Sequence, residues 1–455
     1  MGRYFGTDGI RGSFGTDPMT ELFAFRLAVA LGYFINQQNE NSLNSKIIIG
    51  RDTRYSGQLL ECAMQKGFAS AGLNVCFLGI VPTPAVALGV LHFKATLGIV
   101  LTASHNPASD NGIKLFNHNG EKFSIAQEDK IEAIIDSLDI RDFGIYNILE
   151  KKAQNPISYL DSSYYNEKIQ LVMKADSLKG FKIVLDCANG ASFKTSPEIL
   201  NALGADLVLI GASPNGENIN DQIGSEYPNN LAELVIEHQA DLGLAHDGDA
   251  DRLVVCDEKG KILDGDLLIG LFALHALKMN TLIHKTIVLT IQSNLGLDKS
   301  LREAGFKVVR VPVGDRNVAQ KMRELGVQIG GESSGHILFL DVCPTGDGLL
   351  AALELMKLLI EEECPLSEMH SAIRLYPQKT KNLKVEKKIP FDQLPRFKNS
   401  IKHAESLLGE EGRVLVRYSG TESKLRILVE SKSENLASEV MQIIVTEACN
   451  SLSII

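Results

Sequence analysis

Three Lys-led apolar runs recur along the chain, at Lys46-Ile-Ile-Ile-Gly50, Lys182-Ile-Val-Leu-Asp186 and Lys285-Thr-Ile-Val-Leu289. Apolar runs without polar alternation predict strands of a parallel sheet covered on both faces. Behind each comes a helix-like stretch and a second apolar run, at residues 73–77, 205–209 and 306–310. Ala71-Gly72, Leu203-Gly204 and Ala304-Gly305 stand just before these second runs, where a helix ends on a left-handed glycine cap. A third run follows in each repeat, at 97–101, 240–245 and 327–330.

The repeat predicts three similar α/β units with mainly parallel, mixed sheets plus a smaller C-terminal α+β domain, and these would share a central cleft if the units face one another. The expected units are 1–153, 154–254, 255–372 and 373–455, with Lys151-Lys152 and Pro156 marking the first linker. A length of 455 residues suits three or four domains of about 100–200 residues each.

The third runs end in Thr102-Ala-Ser-His-Asn-Pro107, His246-Asp-Gly-Asp-Ala-Asp-Arg252 and Gly330-Gly-Glu-Ser-Ser-Gly-His336. Parallel α/β sheets bind ligands outside the carboxyl ends of their strands, so these three loops are the candidate site. Asp247, Asp249 and Asp251 alternate over five residues, and carboxylates that close repel unless a cation lies among them. An all-oxygen set favours Mg²⁺, Ca²⁺ or Mn²⁺ over zinc. An EF-hand is excluded because Arg252 occupies the sixth loop position, which demands glycine.

Ser104 beside His105 invites a hydrolase reading, but no G-x-S-x-G elbow is present and adjacent side chains rarely meet. In Arg417-Tyr-Ser-Gly-Thr-Glu422, two hydroxyls, a glycine and Arg417, with Arg426 nearby, form a candidate anion cradle. Glu332, Ser334 and His336 are suited to directional hydrogen bonds with sugar hydroxyls.

Composition narrows the function. With 46 Lys and Arg against 56 Asp and Glu, the net charge of −10 argues against nucleic-acid binding. The seven cysteines form no C-x-x-C pair, as expected of small buried hydrophobes rather than disulfide partners. MGRYFGTDGIRG lacks the apolar core of a secretion signal, and no apolar run reaches the ~18 residues of a membrane span. The expectation is a cytoplasmic protein that touches neither nucleic acid nor membrane.

TASHNP, DGDADR, GGESSGH and RYSGTE, in this order and spacing, resemble the α-D-phosphohexomutase superfamily. FGTDGIRG, Gly50-Arg-Asp-Thr-Arg-Tyr-Ser-Gly57, PTPAV and VGDR resemble the amino-sugar branch of that superfamily, and the likeness runs from residue 3 to about residue 430. The resemblance implies four domains, one Mg²⁺ per chain and a phosphoserine enzyme that interconverts glucosamine 6-phosphate and glucosamine 1-phosphate. A sugar 1,6-bisphosphate would be intermediate and activator, and the product would feed amino-sugar nucleotide and cell-wall precursor synthesis. Ser104 would carry the phosphoryl group and, with Asp247, Asp249 and Asp251, ligate Mg²⁺. Arg11, Lys114 and His336 would stabilise charge and move protons at the reacting group. Glu332 and Ser334 would read sugar hydroxyls, and Arg417, Ser419, Gly420, Thr421 and Arg426 would hold the non-reacting phosphate.

Two positions depart from the family pattern. Ala250 stands where it usually has glycine, and Ser333 where the amino-sugar branch commonly has glutamine. The alternatives are a phosphoglucomutase or phosphomannomutase acting on a C2-hydroxyl sugar, a Mg²⁺-dependent phosphatase, and a non-catalytic binding protein. A homodimer is compatible with the family, as is first phosphorylation of Ser104 by a kinase, by sugar bisphosphate or by autophosphorylation.

Overall fold

The apolar runs form the middle of three sheets that share one plan. The computed structural model describes residues 2–38, 45–138, 158–419 and 423–455. In the first sheet β2 (Ile47–Arg51) lies between parallel neighbours β3 (Val75–Ile80) and β4 (Leu97–Leu101). The chain then returns antiparallel as β5 (Asp110–Phe116), which β1 (Ile10–Ser13) edges, while β6 (Ser158–Tyr159) extends the other side.

The second sheet repeats this plan. There β7 (Lys182–Asp186) lies between parallel β8 (Asp206–Ile210) and β9 (Leu242–Ala245), and β10 (Val254–Asp257) returns antiparallel, with β11 (Ile262–Leu263) at its edge. In the third, β12 (Thr286–Thr290) lies between β13 (Lys307–Val311) and β14 (Ile329–Gly331), with β15 (Ile337–Phe339) returning. The fourth unit differs: an antiparallel sheet of β16 (Gln378–Lys384), β18 (Lys424–Ser431) and β17 (Gly412–Tyr418), in that order, with helices Pro395–Leu408 and Glu434–Ser451.

The expected glycine caps are present in all three repeats. Gly72, Gly204 and Gly305 have φ of +79°, +95° and +90°. The next residue in each case bonds back five residues to a helix carbonyl, Leu73 to Phe68, Ala205 to Leu200 and Phe306 to Leu301. This is a Schellman ending, and it turns each helix into its second strand. Ile47–Ile49 and Ile99–Leu101 are completely buried, as strands covered on both faces must be.

The shared plan puts one loop of each unit in the same place, between the third strand and its antiparallel return. These loops are 102–109, 246–253 and 332–336.

Candidate active site

Ser104 sits in the first loop, completely buried, with the non-glycine backbone in the left-handed region at φ +54°. Its N–H donates to Thr102 Oγ1 at 2.9 Å, and the Thr102 hydroxyl donates in turn to Asp52 Oδ2 at 2.6 Å. The Ser104 hydroxyl crosses to the second unit and donates to Asp247 Oδ2 at 2.5 Å. His105 approaches more closely than adjacency suggests, its Nδ1 lying 3.4 Å from Ser104 Oγ, the outer limit of a hydrogen bond. Burial, with Arg252 and Arg11 nearby, pushes the His105 imidazole down to about 3, so it is neutral.

Asp247, Asp249 and Asp251 are all completely buried, and one oxygen from each lies within 4.8 Å of the others. Ala250, between two of them, takes the left-handed conformation (φ +58°) that glycine adopts freely. Burial, then the charges of Asp249 and Asp251, raise the Asp247 carboxyl to about 7.

Lys114 on β5 is 1% exposed and supplies compensating charge. Its Nζ lies 2.7 Å from Asp249 Oδ2, 2.8 Å from Asp251 Oδ2 and 3.2 Å from Asp8 Oδ2. Burial opposes its charge, but the three carboxylates hold its pKa well above the usual lysine value. One buried oxygen, Asp249 Oδ1, has no hydrogen-bond partner. Three buried carboxylates, one of them with an unpartnered oxygen, are a donor set suited to a hard divalent cation, while the Lys114 ammonium offsets part of their charge.

The third loop joins the same network. His336 Nε2 lies 2.9 Å from Asp251 Oδ1 and its Nδ1 3.0 Å from Glu332 Oε2. Burial would lower the imidazole pKa, but Asp251 and Glu332 carry it up to about 10, so His336 is a cation. Glu332 Oε1 accepts from the Gly314 N–H at 2.8 Å. Ser334 stands at the exposed rim, with Oγ 3.4 Å from His336 Nδ1. Arg11 on β1 enters through Asp8, donating from Nη2 to Oδ2 at 2.6 Å, while its buried Nε has no partner.

The structure thus gathers Ser104, the three aspartates, Lys114, Glu332 and His336 into one polar network across three units. Arg417, Ser419 and Arg426 belong to the fourth sheet. Arg417 and Arg426 face each other in register on β17 and β18. Burial and then the like charge of Arg426 lower the Arg417 pKa, and its buried Nε is unpartnered. Two guanidiniums held together this way favour an anion between them. Ser419 is 4% exposed, and its N–H donates to Lys424 O at 2.8 Å. Gly420 and Thr421 lie outside the described residues.

Sequence reasoning missed several members. Arg252 lies with Nε 3.4 Å from His336 Nε2 and 3.7 Å from Asp247 Oδ2, and its place directly after the acidic triad was the available signal. Asp8 bridges Arg11, Lys114 and Lys122 from within FGTDGIRG. Thr83, in PTPAV, donates to Asp249 Oδ2. Arg54 is buried completely, with Nε on Asp52 Oδ2 at 2.9 Å and its other nitrogens on loop carbonyls.

Comparison with known proteins agrees along the whole chain. Four domain signatures match in order, described as phosphoglucomutase/phosphomannomutase alpha/beta/alpha domain I (residues 2–142), domain II (158–260), domain III (264–376) and C-terminal domain (381–447). A phosphoglucosamine mutase from Nitratidesulfovibrio vulgaris is 43% identical over 437 residues, 94% of this chain and 95% of that one. The phosphoglucosamine mutase of Clostridioides difficile is 43% identical over 443 residues, 97% of each chain. A solved phosphoglucomutase/phosphomannomutase family protein from Burkholderia thailandensis superimposes with a TM-score of 0.80 at 22% identity, covering 99% of this chain and 98% of that one. Among the described residues no helix is long and apolar enough to cross a membrane.

Proposed function

The chain belongs to the phosphoglucosamine mutase family, and from that premise we propose that it interconverts glucosamine 6-phosphate and glucosamine 1-phosphate through a phosphorylated Ser104. The observation that carries this reading is the Ser104 hydroxyl bonded at 2.5 Å to an acidic triad from another unit. Asp247, Asp249 and Asp251, with an oxygen of phosphorylated Ser104, would hold one Mg²⁺, which when bound neutralises charge on the transferring phosphoryl group.

In this reading a free hydroxyl of the sugar phosphate attacks the phosphorus carried by Ser104. The Ser104 Oγ–P bond breaks, the new sugar O–P bond forms, and a sugar bisphosphate results. Lys114 and Arg11 would supply fixed positive charge beside the reacting group, and the His336 cation would give a proton to the departing Ser104 oxygen and recover one from the attacking hydroxyl, so that the proton count balances. The sugar then turns, and its other phosphate returns to Ser104. Arg417, Ser419, Gly420, Thr421 and Arg426 would hold whichever phosphate is not reacting, so the cradle must accept either end of the sugar. Glu332 and Ser334 would orient the ring hydroxyls.

The deciding experiment measures kcat/KM with Mg²⁺ and a trace of sugar bisphosphate on glucosamine 6-phosphate, glucose 1-phosphate and mannose 1-phosphate. The expected result is a preference for the amino sugar of about 10²-fold or more, the scale set by a buried polar partner. Equal or better turnover of the C2-hydroxyl sugars would transfer the assignment to phosphoglucomutase or phosphomannomutase, with Ser333 the first residue to change. Phosphate release outpacing isomer formation would point to a phosphatase.

A further inference from the structure

We propose that Asn220 is a positioning residue that holds the Ser104 loop from the neighbouring unit, an inference resting on Ser104 as the phosphoryl carrier. The left-handed backbone at Ser104 is costly for a residue with a Cβ and persists only where its surroundings over-determine it. Its carbonyl shows how. Ser104 O accepts from Arg54 Nη2 at 3.0 Å and from Asn220 Nδ2 at 2.8 Å. The same two side chains also share Asn106 O, at 2.8 Å and 3.0 Å respectively. The two carbonyls that flank His105 are therefore gripped from both sides, by a guanidinium of the first unit and an amide of the second.

Asn220 is itself fixed. It is 7% exposed, lies at φ +58°, and its N–H donates to Ala188 O at 2.9 Å. Gly248, next to Asp247, packs against the same carbonyl so closely that a Cβ there would stand 2.5 Å from Ser104 O. Asn220 thus ties the serine loop to the unit that carries the three aspartates. The distance from Ser104 Oγ to the acidic triad is set by this grip as well as by the loop's own turn.

Two substitutions test this without adding backbone strain, because both glycine and aspartate tolerate a positive φ. Asn220→Gly removes the amide, and Asn220→Asp puts a carboxylate against two carbonyl oxygens. The readouts are the single-turnover rate at which phosphorylated Ser104 discharges onto glucosamine 6-phosphate, KM, the melting temperature, and amide exchange over residues 103–106. We expect discharge to slow ~10-fold in Asn220→Gly and ~100-fold in Asn220→Asp, the scale of a misplaced reacting atom. KM should stay within ~3-fold, melting within ~3 °C, and exchange at 103–106 should rise ~10-fold, as follows from losing one hydrogen-bonded anchor. Discharge and exchange both within twofold of wild type would overturn the proposal. So would rate losses that only track a fall in melting temperature. If wild type does not pass phosphate to the sugar, the parent reading fails, and the exchange measurement still decides whether Asn220 holds the loop.

Discussion

The three-unit body and the fourth unit are held together by different means. In the body one apolar cluster runs without a break from Val86 and Val90 through Leu185 and Leu200 to Leu268 and Leu353, crossing all three units. Two neighbours on helix Ser163–Gln170 reinforce it by facing different units. The Tyr164 hydroxyl donates to Ala85 O at 2.6 Å and its ring stacks on His92, while the Tyr165 hydroxyl donates to Asp347 at 3.1 Å. The fourth unit closes a separate core around Phe397, Leu425, Val440 and Ile444. It meets the third through polar contacts: Arg413 on the carbonyls of Ile291 (2.8 Å) and Ser293 (2.6 Å), the Leu295 N–H on Glu430 Oε2 (3.0 Å), and Lys299 on Glu410 O (2.8 Å).

A shared apolar core resists displacement in every direction, whereas each hydrogen bond contributes about 1 kcal/mol net and can be exchanged for water. The difference matches the division of labour in the proposed reaction. Ser104, the acidic triad and His336 need sub-ångström registry, and they lie in the fused body. The phosphate cradle must release and regrip a sugar that turns end for end, and it lies beyond the polar seam.

The strongest way to break this comparison is at the nucleophile. Ser104→Ala should lower turnover by ~10⁴-fold or more with the melting temperature little changed, because it removes the phosphoryl carrier and one hydrogen bond. Substantial residual isomerisation, followed by product formation from glucosamine 6-phosphate, would sink the assignment. Next in size is the cradle. Arg417→Ala should cut kcat/KM by about 10–100-fold, the worth of one charge-assisted contact, while leaving phosphorylation of Ser104 by sugar bisphosphate chemically possible. An unchanged KM would place the non-reacting phosphate elsewhere. A smaller effect belongs to the fused core: Tyr165→Phe removes one buried hydroxyl from Asp347 and should cost roughly 1–2 kcal/mol in a denaturant titration, with kcat at room temperature within about twofold. A large loss of activity at constant stability would mean that the body is less rigid than its packing implies.

Much of this was legible in the sequence where the signal is local. Three glycines before three second strands foretold three identical helix endings, and three unlike polar loops after the third strands foretold which side chains meet across the units. The parts that were not legible depend on distant partners. Asn220 and Ser104 are 116 positions apart, and nothing in the pattern around Asn220 marks its amide as the one aimed at a loop carbonyl. Arg54 stands in the Gly50–Gly57 motif, yet a charged residue near a turn is ordinarily solvated, and only the fold shows its guanidinium enclosed by carbonyls. Ala250 marks the middle ground: its departure from glycine was visible in the sequence, its left-handed backbone only in the structure.

The smallest expected effect sharpens the seam itself. Asp266, on helix Gly265–Lys278 of the third unit, accepts from the Asn294 N–H at 2.7 Å through Oδ2, while its buried Oδ1 has no partner. It therefore supports the very loop whose carbonyls hold Arg413. Burial, then Asp264, raise its carboxyl to about 7, and Glu430 of the fourth unit adds its charge from across the seam. Unfolded, the same group titrates near 4. Between about pH 4 and pH 7 the folded chain keeps a proton that the unfolded chain has lost, so this group's contribution is complete below pH 4 and declines until pH 7. Asp266→Asn keeps the acceptor for Asn294 but removes the ionisation. Its melting temperature should then fall less than that of wild type between pH 5 and pH 7.5, by a few degrees at most for a chain of this length. Equal slopes in the two proteins would mean that Asp266 titrates in the fold as it does unfolded, so that its proton relieves no like-charge repulsion with Glu430 across the seam.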